Sequence, residues 1–275
     1  MRYKIGDVAR ILGISADLLR YYEKKGVVTP YKDANNDYRY YDSWDINFLM
    51  DCLWFKNFGF SIEQIADMVR IPSAEDLQDI FAYKEDELRS TIRRCELLLR
   101  RSREYREQLE RIPTLLGKCE LAPSPEVVRF INRVGNDYPT GEGLEHFARQ
   151  WLKAMPFSHR YFEISSAALA GGDEMDFRWG FALEPAYVRA LDFPVTPPMK
   201  SISSHQSVHT FFPSRGRSKF TARHVDYALD WARERGLAVA GPAQGMLVAS
   251  LLEDGELCGY FECWIPVKDR EEGGN

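Results

Sequence analysis

The chain has 275 residues, enough for two domains that each bury a core, and it is 45% hydrophobic and 28% charged. No run of about eighteen apolar residues offers a membrane span, and MRYKIGDVAR lacks an apolar stretch followed by a small-residue cleavage site, so a cytoplasmic protein without a membrane partner is expected. The net charge of -5 is uneven: residues 1–70 hold ten Lys/Arg against ten Asp/Glu and residues 120–275 hold 16 against 21, so composition does not announce a nucleic acid and any case for one rests on where the basic residues sit.

Ile5, Val8, Ile11 and Leu12 recur at helical spacing and Gly13 closes that helix. Ser15 is a candidate N-cap for a second helix, which carries LRYYEKK and stops at Gly26. Two short helices joined by about three residues make helix-turn-helix spacing. DANND, flanked by VVTPY and YRYY, reads as the turn of a small hairpin. A third helix is expected over 45–57, with Ile46, Leu49, Met50, Leu53 and Trp54 on one face, and a capping box of Ser61 and Gln64 opens a fourth that ends before Pro72.

From 76 to 112 neither Gly nor Pro interrupts the chain. Phe81, Lys84, Leu88, Thr91, Cys95, Leu98, Ser102, Tyr105, Leu109 and Ile112 follow 3,4 spacing there, beneath otherwise charged faces. That narrow seam predicts pairing with a second copy, a homodimer. GKCELAPSPE reads as a linker. After it a β-α-β-β order is expected twice, over 126–134, 142–154, 161–169 and 175–183, then over 201–212, 221–235, 246–252 and 257–267. The expected fold class is α+β, divided into 1–72, a dimerisation helix over 73–113, a linker over 114–122 and a duplicated domain over 123–275 with a groove where the copies meet.

The second helix of a helix-turn-helix enters the major groove, where an arginine takes guanine O6 and N7 together and tyrosine hydroxyls serve phosphates. Arg20, Tyr21, Tyr22 and Lys24 fit that job, and Tyr38, Arg39 and Tyr40 repeat the chemistry in the hairpin; Lys4 and Ser15 complete the candidate DNA-binding set. Taken alone, either cluster is an exposed helix end or an aromatic strand. Together, Arg20, Tyr22, Gly26, Pro30 and the run Tyr38-Arg39-Tyr40-Tyr41 resemble the MerR family of transcription regulators over residues 1 to about 70. The resemblance implies a winged helix-turn-helix, an antiparallel coiled coil between two chains, a C-terminal sensor domain, and a dimer that twists double-stranded promoter DNA so that RNA polymerase can use it. Asp37 stands where the wing motif has Gly, and Val27-Val28 replaces a leucine pair.

For the signal, several classes compete. Metal and redox sensors of the family use cysteines near the ends of the long helix, but Ala82 and its neighbours supply no thiol, Cys119 has no companion, and the five cysteines form no CxxC pair, so neither a metal site nor a cofactor is expected. His205 and His209 read as ordinary strand residues. Over about 123–268 the chain resembles the GyrI-like effector-binding domains of BmrR-type multidrug regulators, on the strength of GYFECWIPV. Strand alternation puts Glu262 between Tyr260 and Trp264, where a poorly hydrated carboxyl is protonated, paired with a basic side chain, or waiting for a cation. Phe177, Trp179, Phe181, Tyr161, Tyr187 and Phe212 are the further candidates for lining that site, and Gln244 falls where some relatives carry a second acid. The reading is a ligand-responsive regulator sensing an amphipathic, cationic or aromatic small molecule; the alternatives are a GyrI-like hydrolase with Glu262 as general base, a metal- or redox-sensing regulator, which the cysteine placement disfavours, and an architectural DNA-binding dimer whose second domain binds a protein.

Overall fold

The computed structural model describes residues 2–33, 38–71, 73–135, 137, 144–216 and 220–270, arranged as two compact units, 1–92 and 93–275. Most of the DANND turn, Asp37 included, and the expected helix start at Glu142 lie outside the described residues.

In the first unit, α1 (Ile5–Leu12) ends at Gly13, whose φ of 66° is the left-handed conformation that glycine adopts without a Cβ penalty. The Ser15 hydroxyl accepts from Leu18 N at 3.1 Å and so opens α2 (Ala16–Lys24). Strands β1 (Tyr3–Lys4), β2 (Tyr31–Lys32) and β3 (Arg39–Tyr41) form a small sheet in the order β1-β3-β2, the wing beside the two helices. Asp42 caps α3 (Ser43–Asn57), two residues earlier than expected, because its carboxylate takes both Trp44 N and Asp45 N. The Ser61–Gln64 box opens α4 (Ile62–Met68). Val8, Leu19, Tyr22, Val27, Val28, Tyr41, Leu49 and Ile65 make the core, so the Val27-Val28 pair serves packing.

Helix α5 (Ala74–Leu115) passes through Pro113 and ends one turn later than its uninterrupted stretch, with Leu116 N donating to Ile112 O at 2.9 Å. A proline so near the C-terminus costs a single ladder bond there. The seam of α5 is shared among different neighbours. Phe81 joins the first core, Lys84 donates to Gly59 O, Leu98 packs against the second unit's core, and Tyr105 donates to Val248 O. Leu88, Ile92 and Leu99 remain 44%, 57% and 54% exposed, with Cys95 exposed among them. That stripe keeps helical spacing.

The second unit is built on one sheet in the order β4-β9-β12-β11-β6-β7-β5-β8. Its first repeat is β5 (Val127–Val134), α6 (Leu144–Lys153), β6 (His159–Ile164) and β7 (Phe177–Leu183), and β8 (Lys200–Ile202) lies on the edge beyond β5. The second is β9 (Gln206–Arg215), α9 (Asp226–Glu234), β11 (Ala243–Glu253) and β12 (Glu256–Asp269). The two repeats meet at β6·β11, where Gln244 pairs with Glu163 and Met246 with Tyr161, and the strand order reads alike outward from that pair. Several elements depart from expectation: β1 was not expected, and the strand expected over 201–212 is divided into β8 and β9. The 114–122 stretch is not a free linker, because residues 119–123 form β4 (Cys119–Pro123) against β9; as an edge strand it has room for a proline. Residues 165–169 leave the expected strand for α7 (Ser166–Leu169), since the Ser165 hydroxyl accepts from Ala168 N. Short elements α8 (Pro185–Ala190) and β10 (Leu237–Val239) were not expected.

Candidate DNA-binding face and effector groove

On α2, Arg20 and Lys24 are exposed one turn apart, and the Arg20 Nη1 donates to Asp17 Oδ1 at 2.5 Å. Tyr21 is half-exposed and donates to Glu63 at 2.9 Å, with the Lys25 ammonium 5.4 Å from its ring. The hydrogen bonds from Lys25, the Glu63 backbone and Tyr21 hold the Glu63 carboxyl down to about 2. On the wing, Tyr38 is exposed, with the Lys4 ammonium 5.5 Å from its ring. Tyr40 is half-buried in β3 between Lys4 and Tyr31, and Ser15 is exposed but spends its hydroxyl as the cap of α2. Arg39 is turned toward the protein, its Nε donating to Glu23 Oε2 at 2.5 Å while Lys32 meets Glu23 Oε1 at 3.1 Å. Burial pushes the Glu23 carboxyl up, and the bonds from Arg39 and Lys32 more than offset this, leaving it below the usual carboxylate range. Two wing contacts escaped the sequence reading: Lys32 on Glu23, and Arg2 stacked 4.2 Å from the Tyr31 ring. The Tyr31-Lys32 pair, set opposite Tyr40 and Arg39 across the hairpin, was the available signal.

Tyr22 corrects the sequence reading. It is fully buried in the first core, and its hydroxyl, like that of Tyr41, meets no hydrogen-bond partner among the described residues. It lies three residues after Leu19, on the inward face of α2, so it packs the helix rather than touching DNA. Burial raises the Tyr22 hydroxyl above its ordinary range, with a smaller push from Cys52. Tyr22→Phe should leave DNA affinity unchanged and the protein as stable or up to about 1 kcal/mol more stable, because an unpaired buried hydroxyl is a cost. Thermal melting and DNA titration of the variant check both halves.

In the second unit Tyr260, Glu262 and Trp264 alternate along β12 with Phe261, Cys263 and Ile265, and the latter three belong to the core packed under α9. Glu262 is 2% exposed with both oxygens engaged: His209 Nε2 lies 2.9 Å from Oε1, and Gln108 Nε2 donates to Oε2 at 3.1 Å. His209 Nδ1 faces Glu120 Oε1 at 3.0 Å, Arg111 donates to that same oxygen at 2.8 Å, and the Trp264 indole stacks on the imidazole at 5.0 Å. The hydrogen bond from His209 is the largest influence holding Glu120 below its usual range. So the basic side chain beside Glu262 comes from a residue read as an ordinary strand histidine, and Gln108 and Arg111 of α5 close the chain of contacts from either end. A general-base role for Glu262 needs a water and an electrophile beside it, and this carboxylate has neither oxygen free.

The expected aromatic walls do not gather around that acid. Phe177, Trp179 and Phe212 pack with Phe162, Phe220 and Phe261, on the sheet face opposite Glu262, and Phe181 stacks on Trp151 in a neighbouring core. Tyr187 sits on α8 and donates to Glu104 at 2.6 Å, while Tyr260 hydrogen-bonds Glu253. Tyr161 is placed differently. It borders a cavity of about 260 Å³ together with Glu163, Ile202, His205, Gln244 and Pro266. Glu163 is nearly buried, with Arg129 at 3.0 Å and Arg178 at 3.6 Å, an ion pair signalled by one charge set in each of the apolar runs VVRFI and YFEI. Among the described residues no group of three or more His, Cys, Asp or Glu is placed to hold a metal, and no helix is long and apolar enough to cross a membrane.

A model described as the MerR HTH family regulatory protein matches residues 3–70. The regulator CueR of Escherichia coli O157:H7 is 28% identical over 115 residues, covering 42% of this chain and 82% of CueR. The HTH-type regulator slr0701 of Synechocystis is 31% identical over 111 residues, covering 40% of this chain and 80% of its own length, whereas the activator mta of Bacillus subtilis is 29% identical over a third of its length (33%). Among solved structures, EcmrR in a DNA complex aligns over 97% of this chain and 100% of its own at 18% identity, with a TM-score of 0.37. On the matched N-terminal region and its coverage of those regulators, the chain belongs to the MerR family of helix-turn-helix regulatory proteins.

Proposed function

We propose that this MerR-family transcription regulator works as a homodimer that holds double-stranded promoter DNA through α2 and the wing, distorts it for RNA polymerase, and takes an amphipathic small molecule in the groove of its second, GyrI-like unit. One observation carries the effector half: a cavity of about 260 Å³ on the Glu262 face of the sheet, at the meeting of the two β-α-β-β repeats. Pockets at such internal interfaces, mostly apolar with a few polar groups, are where small ligands bind. The DNA half is supported by the exposed Arg20 and Lys24 on one face of α2, with Lys4 and Tyr38 exposed on the wing. Arg39 and Tyr40 steady the wing that presents them.

The experiment is in vitro transcription from the chain's own upstream DNA with graded amphipathic compounds, paired with calorimetric binding of those compounds to the same protein. A compound that binds and changes transcript level supports the reading; binding with no change in transcription across the series counts against regulation by this groove.

The exposed stripe Leu88, Ile92 and Leu99 on α5, of which Leu88 belongs to the expected seam, is the surface that meets a second copy in this reading. Leu88→Glu with Ile92→Glu places charge in that seam and should turn a dimer into a monomer by sedimentation velocity, with helical circular dichroism retained. A dimer that survives both substitutions would place the contact elsewhere.

A further inference from the structure

Each carboxylate on the groove face is matched inside the protein. Glu163 is paired with Arg129 and Arg178, and Glu262 with His209 and Gln108. The site therefore offers no bare anion to a cation. The unmatched group is a donor. Gln244 is 5% exposed, forms part of the cavity wall, and its Nε2 has no hydrogen-bond partner among the described residues. The Tyr161 hydroxyl donates to Gln244 Oε1 at 3.2 Å, and the amide N–H₂ is left over. A buried amide donor without an acceptor is a standing cost, removed by a ligand that supplies an oxygen. Beside the paired Glu163 and the exposed imidazole of His205, the wall carries Ile202, Pro242 and Pro266 with the Tyr161 ring as its apolar part.

We propose that the effector of this chain is an uncharged amphipathic molecule that presents a carbonyl-type oxygen to Gln244 Nε2, with its apolar body against Tyr161, Ile202 and Pro266. The proposal rests on the reading of this groove as the effector site, and it names the ligand's chemistry. Discrimination follows the same logic as any site built to hydrogen-bond its ligand: an analogue without the oxygen leaves the donor buried and unpaired, whereas a cation sets its charge beside the Glu163–Arg129 and Glu163–Arg178 pairs, with no carboxylate in surplus.

Three probes sharing one aromatic body test it on the full-length chain by calorimetry: 2-acetylnaphthalene, which carries the oxygen; 2-isopropylnaphthalene, which lacks it; and the naphth-2-yl trimethylammonium ion. The ketone should bind about tenfold or more tighter than either of the others, the scale of one satisfied buried donor. Gln244→Leu should erase the ketone's lead over the hydrocarbon while leaving hydrocarbon binding in place, and Gln244→Glu should move the preference to the cation. If the cation binds the unaltered chain tightest, the ligand class is overturned and the effector reading of the groove stands. A ketone lead that survives Gln244→Leu overturns the role of Gln244. If none of the three binds, the effector reading itself fails.

Discussion

His209→Leu should destabilise the second unit by about 3–5 kcal/mol, because it strands the Glu262 carboxylate in a buried site with Gln108 as its remaining partner. The imidazole is 1% exposed, flanked by Glu262 on one nitrogen and Glu120 on the other, so no water stands ready to take its place. Removing both groups should behave differently. His209→Leu combined with Glu262→Met replaces the pair by apolar groups of similar volume and should recover most of the loss, since a buried polar pair is worth little over well-packed apolar atoms while half of one is costly. Urea unfolding of the two variants separates the cases. If the single substitution costs less than about 1 kcal/mol, the network does not carry the stability assigned to it here. The double variant also bears on coupling. Gln108 and Arg111 lie three residues apart on one face of α5, and both end on this network, so Glu262 and His209 tie that helix to β9 and β12. A stable double variant that binds compounds in the groove but no longer changes transcription would mark the network as the route by which α5 reads the sheet.

What could be read from the residues, and what could not, follows from how local each interaction is. Gly13, Ser15 and the Ser61–Gln64 box act within one turn of helix, so the order of α1 to α4 was legible before any tertiary contact existed. Tyr22 was legible too, by its three-residue spacing from Leu19, but the polar run around it drew attention to its hydroxyl. Strand alternation correctly separated Glu262 from Phe261 and Cys263, yet alternation does not say which face the helices cover, and so Phe177, Trp179 and Phe212 were assigned to the groove when they are core. The His209–Glu262 contact joins residues 53 apart through the β9·β12 register, where Trp264 pairs with His209. No spacing rule within either strand reports that. The same holds for Gln108, which reaches Glu262 from a helix 154 residues away. The long helix was expected to give its whole seam to a partner chain, but a seam pattern records that residues are covered without recording by what, and here part of it is covered by the chain's own cores.

Arg20→Ala should weaken binding to the chain's own promoter by about 1–3 kcal/mol and relax preference at one base position, the signature of a bidentate contact to guanine. In the unbound chain the guanidinium donates to Asp17, a pair with 55% and 88% of its side chains exposed. An exposed pair of this kind is worth about 0–1 kcal/mol, so swinging Arg20 away from Asp17 costs less than the base contact returns. Asp17→Ala should therefore leave affinity equal or slightly higher, which distinguishes an arginine freed for DNA from one held as a helix-surface ion pair. Lys24, one turn on, is a phosphate-type contact: its loss should weaken binding alike on cognate and scrambled DNA and lower the slope of affinity against salt by about 0.9 per phosphate. Fluorescence anisotropy on cognate and scrambled duplexes at several salt concentrations resolves all three. Equal losses for Arg20→Ala on both duplexes would reduce Arg20 to a phosphate contact, and no loss on either would remove α2 from the DNA interface.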